Sequence, residues 1–183
     1  MTDQSEHAQQ KTLRFVPLST AALNALAEGD LVQGSAEAGV DLGDFFATDT
    51  ARWVWRHRLG QLAERPGIEG WLTHAVVDEA ADGAAVGYAG FHGPPDETGM
   101  VELGYSVVPD RRRQGYARAM LTDLVRRAAT EQDVRTIRVT ISPDNTASRA
   151  TIAGFGFEEV GEQWDEEDGL ETIYEIPANR DTA

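Results

Sequence analysis

The run Arg111-Arg112-Arg113-Gln114-Gly115-Tyr116-Ala117 stands where an apolar strand pattern stops at Pro109-Asp110 and a helical one begins. A glycine followed by a small residue lets backbone approach a ligand closely, and first-turn N–H groups have no intrahelical partner, so such a junction attracts phosphate. The main-chain donors would be those of Arg113, Gln114, Gly115, Tyr116 and Ala117, with side-chain charge from Arg112 and Arg118. Taken alone, consecutive arginines are usually a solvated turn; the placement of the glycine argues for an anion. The other chemistry-bearing positions are Glu102 and the pair Asn145 and Ser148. Glu102 lies on the strand before the turn, opposite in sense to Val101 and Leu103, where a carboxylate can take a proton or stand idle in solvent. Asn145 and Ser148 are three apart and share a helical face, though Asn145 reads equally as a helix cap and Ser148 as a small packing residue.

The elements that must position these residues follow from periodicity. Residues 13–18 alternate and stop near Pro17, a first strand; Ser19 caps a short helix through Leu23 and Leu26 that ends near Gly29. The glycine-rich stretch 30–47 lacks a sustained period and reads as loop with a helical turn. A helix over 49–64 carries Ala51, Val54, Trp55, Leu59 and Leu62 on one face and arginines on the other, closed by Pro66-Gly67. Strands are expected over 71–77 and 85–91, joined through Asp82-Gly83, and over 101–108. A helix follows with Ala117, Met120, Leu121, Leu124, Val125 and Ala128 on one face, then a strand over 136–141, a second short helix, and a strand pair, 158–164 and 170–176, around Asp168-Gly169. This order describes an α/β, or α+β, mixed and mostly antiparallel sheet of about seven strands with about four helices, rather than a doubly wound sheet.

The spacing Arg112-x-x-Gly115-x-Ala117 after Val107-Val108-Pro109 resembles the acetyl-CoA-binding signature of the GNAT superfamily of N-acetyltransferases. A second segment resembles that family's next motif: Ile137, Val139 and Ile141 alternate, Ser142-Pro143-Asp144-Asn145 follows, and a helix runs to Gly154-Phe155-Gly156-Phe157. Asn145-x-x-Ser148, with an aliphatic residue where relatives carry tyrosine, is similar to the ribosomal-protein N-terminal acetyltransferase subgroup. The resemblance implies that the fourth and fifth strands splay to admit a pantetheine arm. Main-chain groups of Ser106, Val107 and Val108 would pair with the arm, Gly104 would ease a bulge, and the Val107 amide would meet the developing oxyanion. Asn145 would hydrogen-bond the pantetheine and Ser148 would donate near sulfur. A free alkyl amine titrates near ~10 and must lose a proton before attack, and the resemblance implies Glu102 takes it through water. The usual tyrosine acid is replaced by Ile152, which has no proton to give. The implied reaction is direct transfer from acetyl-CoA to a primary amine, small molecule or protein N-terminus, in a ternary complex; a non-catalytic acyl-CoA-binding sensor is the alternative.

Composition narrows the classes further. At 183 residues and 41% hydrophobic, the chain fits one domain, expected over 12–177 between loose tails 1–11 and 178–183. It has no cysteine, which excludes disulfides, thiolate metal sites and an acyl-cysteine intermediate. A formal charge of −15 opposes nucleic-acid binding. No run approaches the ~18 apolar residues of a membrane span, and a polar start at Met1 to Gln10 suggests a cytoplasmic protein, monomer or homodimer. His7, His57, His74 and His92 fit no ligand spacing, so no metal is expected; His74 and His92 read first as ordinary strand histidines. The acidic turn 164–169 reads as a soluble hairpin tip, and Trp53, Trp55 and Trp71 as core or pocket wall.

Overall fold

The computed structural model describes residues 11–166 and 169–178. The expected tails fall almost wholly outside these, as do His7 and part of the acidic turn. Twelve elements follow in order: β1 (Leu13–Pro17), α1 (Thr20–Glu28), α2 (Leu31–Ala38), α3 (Asp49–Glu64), β2 (His74–Asp78), β3 (Ala85–Phe91), β4 (Met100–Val107), α4 (Tyr116–Thr130), β5 (Thr136–Ile141), α5 (Thr146–Ile152), β6 (Glu158–Asp165) and β7 (Gly169–Pro177). The strands form a seven-stranded sheet in the order β1-β2-β3-β4-β5-β7-β6, with β4 and β5 parallel and every other pair antiparallel.

Period-two alternation divides the core between the sheet's two faces. Val101, Leu103 and Val107 of β4 pack with Met120, Leu121 and Leu124 of α4 and with Ile137 and Val139 of β5. On the opposite face, Ala75, Val77 and Tyr88 meet Leu26 of α1 and Trp55 of α3. Trp55 is fully buried, stacks on Phe46 and donates its indole N–H to the Phe46 carbonyl at 2.8 Å, so a large apolar body brings its one polar atom satisfied.

Three expectations are corrected. The stretch 30–47 is more than loop with a helical turn: it holds α2 and a short 3-10 turn, Asp44–Ala47, which brings the α-helices among the described residues to five. Asp30 caps α2 through the Gln33 amide at 2.9 Å, and Gly34, which reads as a breaker, is there for close approach. A Cβ at Gly34 would lie 2.7 Å from Leu26 Cδ2 on α1. The strand expected from Trp71 begins at His74, because 71–73 form a turn; Trp71 still accepts from the Phe91 amide at 2.9 Å. Finally, Arg58 of α3 does not face solvent with the other arginines. It is 7% exposed and donates to Thr73 Oγ1 at 3.0 Å and to Gln61 Oε1 at 2.8 Å.

Candidate active site

Strands β4 and β5 pair only as Met100–Thr136, Val101–Ile137 and Glu102–Arg138. Beyond Glu102 the two part, β5 continuing against β7 and β4 against β3, which opens the splay. Alternation decides which main-chain groups of β4 face the gap. The Glu102 carbonyl accepts from the His92 amide and the Val108 amide donates to the Val86 carbonyl, so the even-numbered residues turn toward β3. Leu103, Tyr105 and Val107 therefore present their main chain to the opening. Ser106 and Val108 are thus corrected as main-chain contacts: both turn their main chain toward β3, the Val108 amide donating to the Val86 carbonyl at 2.9 Å. The β3–β4 register runs unbroken from Gly87–Val107 to Phe91–Leu103, so Gly104 eases no bulge. A Cβ there would lie 2.9 Å from His92 Nε2, the movable end of a side chain.

At the far end of the opening lies the arginine turn. Arg113 at φ 59° and Gly115 at φ 85° are both left-handed, which curls the chain and leaves α4 starting at Tyr116 with no side-chain cap on its first amides. A left-handed non-glycine residue is a strained choice that clusters at ligand clamps, and successive amides in such a turn make an anion nest. The Tyr116 side chain anchors the helix start: its hydroxyl donates to buried Asp78 Oδ2 at 2.8 Å, with Lys11 Nζ 3.9 Å over its ring. Burial alone would raise the Asp78 pKa, but the Tyr116 hydroxyl, the Ala80 amide and Lys11 together hold it below the ordinary value.

The splay and this turn share one cavity of about 690 Å³, in the range of ligand sites. It is lined by Ser106 and Val107 of β4, by Arg112, Arg113, Gly115, Ala117 and Arg118, and by Asn145 and Ser148 of α5. A strand edge turned to the opening and leading to uncapped amides and arginines fits a diphosphate carrying a long, amide-containing arm. Arg112 is steadied by donating to the Val107 carbonyl at 3.1 Å, and Arg118 sits 5.1 Å from the Phe155 ring centre. Gln114 turns its side chain back to the Asp110 carbonyl, leaving it only a main-chain role. Asn145 caps α5, its Oδ1 accepting from the Ser148 amide at 3.0 Å. Ile152 is buried at 5% exposure in the apolar core on the α4 side of the sheet.

Glu102 is not a wall of this cavity. It stands where the splay begins, on the other face of β4, its Oε1 accepting from Thr140 Oγ1 at 2.7 Å and lying 3.4 Å from His92 Nδ1. Burial raises its pKa, partly opposed by the Thr140 hydroxyl. Burial, reinforced by Arg58 and His57, lowers that of His92. The His92 side chain keeps 44% of its surface, so solvent moderates the shift, but its direction makes the imidazole neutral at pH 7. His92 lies just past the end of β3 rather than within a strand. His74 is structural, buried with Nδ1 2.7 Å from the Leu72 carbonyl.

Sequence reasoning missed Tyr105, Arg111, Ala147 and Thr151, all lining the cavity. Thr151 lies three residues past Ser148 and shares its helical face, a signal the spacing carried; Tyr105 alternates with Val101 and Leu103, the core-facing set, which is why it was passed over. Among the described residues no three or more His, Cys, Asp or Glu are grouped to hold a metal, and no helix is long and apolar enough to cross a membrane.

Known proteins share this fold. The acetyltransferase (GNAT) domain family matches residues 13–158. The chain is 31% identical over 96 residues to the uncharacterized N-acetyltransferase YjdG of Bacillus subtilis (strain 168), a match covering 52% of this chain and 56% of that relative. It therefore spans little more than half the length of that curated relative. Mycobacterium smegmatis RimJ, in complex with CoA-disulfide, superposes with a TM-score of 0.60 at 22% identity, covering 91% of this chain and 81% of that one. RimL, the ribosomal L7/L12 alpha-N-protein acetyltransferase in complex with coenzyme A, gives 0.61 at 18% identity, covering 91% and 94%. At these identities the likeness to the solved structures is one of fold. Matched from its first strand to the start of its sixth, the chain belongs to the acetyltransferase (GNAT) domain family.

Proposed function

We propose that this protein transfers an acetyl group from acetyl-CoA to a primary amine, a small molecule or a protein N-terminus, by direct attack in a ternary complex. The carrying observation is that β4–β5 pairing ends at Glu102, so a carboxylate with a raised pKa stands where the opening begins. Acetyl-CoA would supply the activated acyl group. The Arg113–Ala117 amides, with Arg112 and Arg118, bind its diphosphate, while the Val107 main chain and Asn145 hold the arm. Glu102 takes the proton of the incoming ammonium, and a Glu102 that is harder to ionise in place is a stronger base than an exposed glutamate. The Val107 amide, on the gap side of β4, is the donor to the developing oxyanion. Ser148 donates toward the departing sulfur. Absence of cysteine makes an acyl-enzyme through a thiolate impossible.

Calorimetry with coenzyme A, followed by thioester turnover against a panel of amines and peptide N-termini, tests the proposal. Binding and turnover together are expected. No binding would sink it, and binding without turnover across a broad panel would favour a coenzyme sensor. That second reading has one observation in its favour, the buried apolar Ile152 where a proton donor is usual.

A further inference from the structure

Among the described residues, the Tyr105 hydroxyl is the one buried side-chain polar atom without a hydrogen-bond partner. An orphaned buried hydroxyl costs about 1–3 kcal/mol, so its persistence calls for an explanation. Tyr105 lines the cavity together with Ser148 and Thr151 of α5. Both of their hydroxyls are near enough to favour the ionised phenol, against burial, which raises its pKa, though neither has hydrogen-bonding geometry to it. The Thr151 hydroxyl proton is already committed to the Ala147 carbonyl at 2.9 Å. Ser148 is left as the partner that can both accept and donate. Along β4, Tyr105 lies between Glu102, where the splay begins, and the arginine turn, which is the stretch a thioester must cross.

Ser148 alone is a poor acid for this step. A thiol titrates near ~8.5 and a phenol near ~10, whereas an aliphatic hydroxyl does not titrate in the accessible range. A phenol is thus nearly matched to a leaving thiolate, and Ile152 offers none. We propose that Tyr105 is the positioning residue of the leaving-group proton path, acting through Ser148 on the sulfur of the departing coenzyme; this rests on the acetyl-transfer reading above. As the C–N bond forms and the C–S bond breaks, the electron pair goes to sulfur. The Ser148 hydroxyl gives its proton to sulfur and takes the phenol's. Tyr105 regains a proton from solvent; nitrogen sheds two, the ammonium proton before attack and one after the C–N bond forms, both passed by Glu102 to solvent, so that one is balanced by the proton delivered to sulfur and one is released. The orphaned hydroxyl is then a donor kept free for use, and not a structural tie.

The test needs no acceptor. The pKa of the coenzyme A thiol bound to the protein is read from thiolate absorbance in wild type, Tyr105→Phe, Ser148→Ala and the double variant. The other charges on the cavity wall, Arg111, Arg112, Arg113 and Arg118, are common to all four. In each single variant the bound thiol pKa is expected to rise by about one unit, a tenfold smaller thiolate fraction at a given pH. The double variant is expected to match the singles, because the two groups act as one path. Well below the thiol pKa, where only the neutral thiol is bound, Tyr105→Phe should keep its coenzyme affinity, and it should melt no lower than wild type without ligand, since the oxygen removed holds nothing. An unchanged thiol pKa in Tyr105→Phe with intact coenzyme binding overturns this inference alone, as does a loss of unliganded stability. Failure of wild type to bind coenzyme A overturns the acetyl-transfer reading and this one with it.

Discussion

Glu102 and Arg138 are the last residues at which β4 and β5 lie paired, and their side chains go to different partners. Arg138 donates to Glu175 on β7 at 2.8 and 2.6 Å, while Glu102 accepts from Thr140, two residues further along β5. The ion pair draws β5 toward β7, and the Thr140 hydroxyl keeps the carboxylate spanning the start of the splay. Glu102 is therefore held by the strand that is leaving it.

Glu102→Gln is expected to lower kcat by about 10²–10⁴-fold while leaving coenzyme A affinity unchanged. The sign of the pH dependence follows from burial. Raised above the ordinary 4.5, Glu102 is protonated and inactive as a base further up the acid range than an exposed glutamate. The acidic limb of the wild-type kcat/KM profile should lie above that value and vanish from the residual activity of the variant. A wild-type rate in Glu102→Gln would remove the residue from the mechanism.

Gly104→Ala puts a methyl 2.9 Å from His92 Nε2, the end of a side chain that can swing away. The fold should tolerate it, with the imidazole displaced from its place 3.4 Å from Glu102 and kcat down by less than about tenfold, since no hydrogen bond joins the two. Steady-state kinetics beside a thermal melt decide it: a large melt change with normal kcat would show that Gly104 serves packing alone.

Gly115→Ala forces a side chain onto a residue at φ 85°. The cost of about 1–2 kcal/mol falls on the amide turn, so coenzyme A should bind roughly 5–30-fold more weakly by calorimetry. Unaltered affinity would mean that the diphosphate does not use these amides.

Tyr116→Phe removes the donor that meets buried Asp78 at the first turn of α4. The expected loss is about 2 kcal/mol at pH 7, as for a hydrogen bond to a charged group. Because the folded pKa of Asp78 is lowered, its contribution is full above the ordinary 3.8 and is lost as pH falls through the lowered folded value. Urea unfolding of both proteins should therefore show a gap at pH 7 that narrows in acid. A gap independent of pH would assign the loss to packing.

Several features were legible in the residues themselves. Ser19 and Gly29 bound α1 as expected, Ser19 accepting from the Ala22 amide at 3.1 Å and Gly29 at φ 85°, because caps and left-handed turns are local chemistry. Alternation placed Val101 and Leu103 opposite Glu102, since the pleat allows nothing else. The spacing Arg112-x-x-Gly115-x-Ala117 marked the amide turn for the same reason: a strand that stops at proline and a helix that starts after a left-handed glycine are decided within a few bonds.

Tertiary structure alone decided the rest. Nothing in the stretch 30–47 announces α2, whose Gly34 makes sense only against Leu26. Arg58 looks like its exposed neighbours until Thr73 and Gln61 receive it. Whether Glu102 faces water or an opening depends on where β5 turns to β7, and whether Tyr105 has a partner depends on where α5 settles beside β4. Chain-local forces choose caps, turns and strand faces; which side chains then meet is fixed by contacts between segments far apart in the chain, and no residue carries that information by itself.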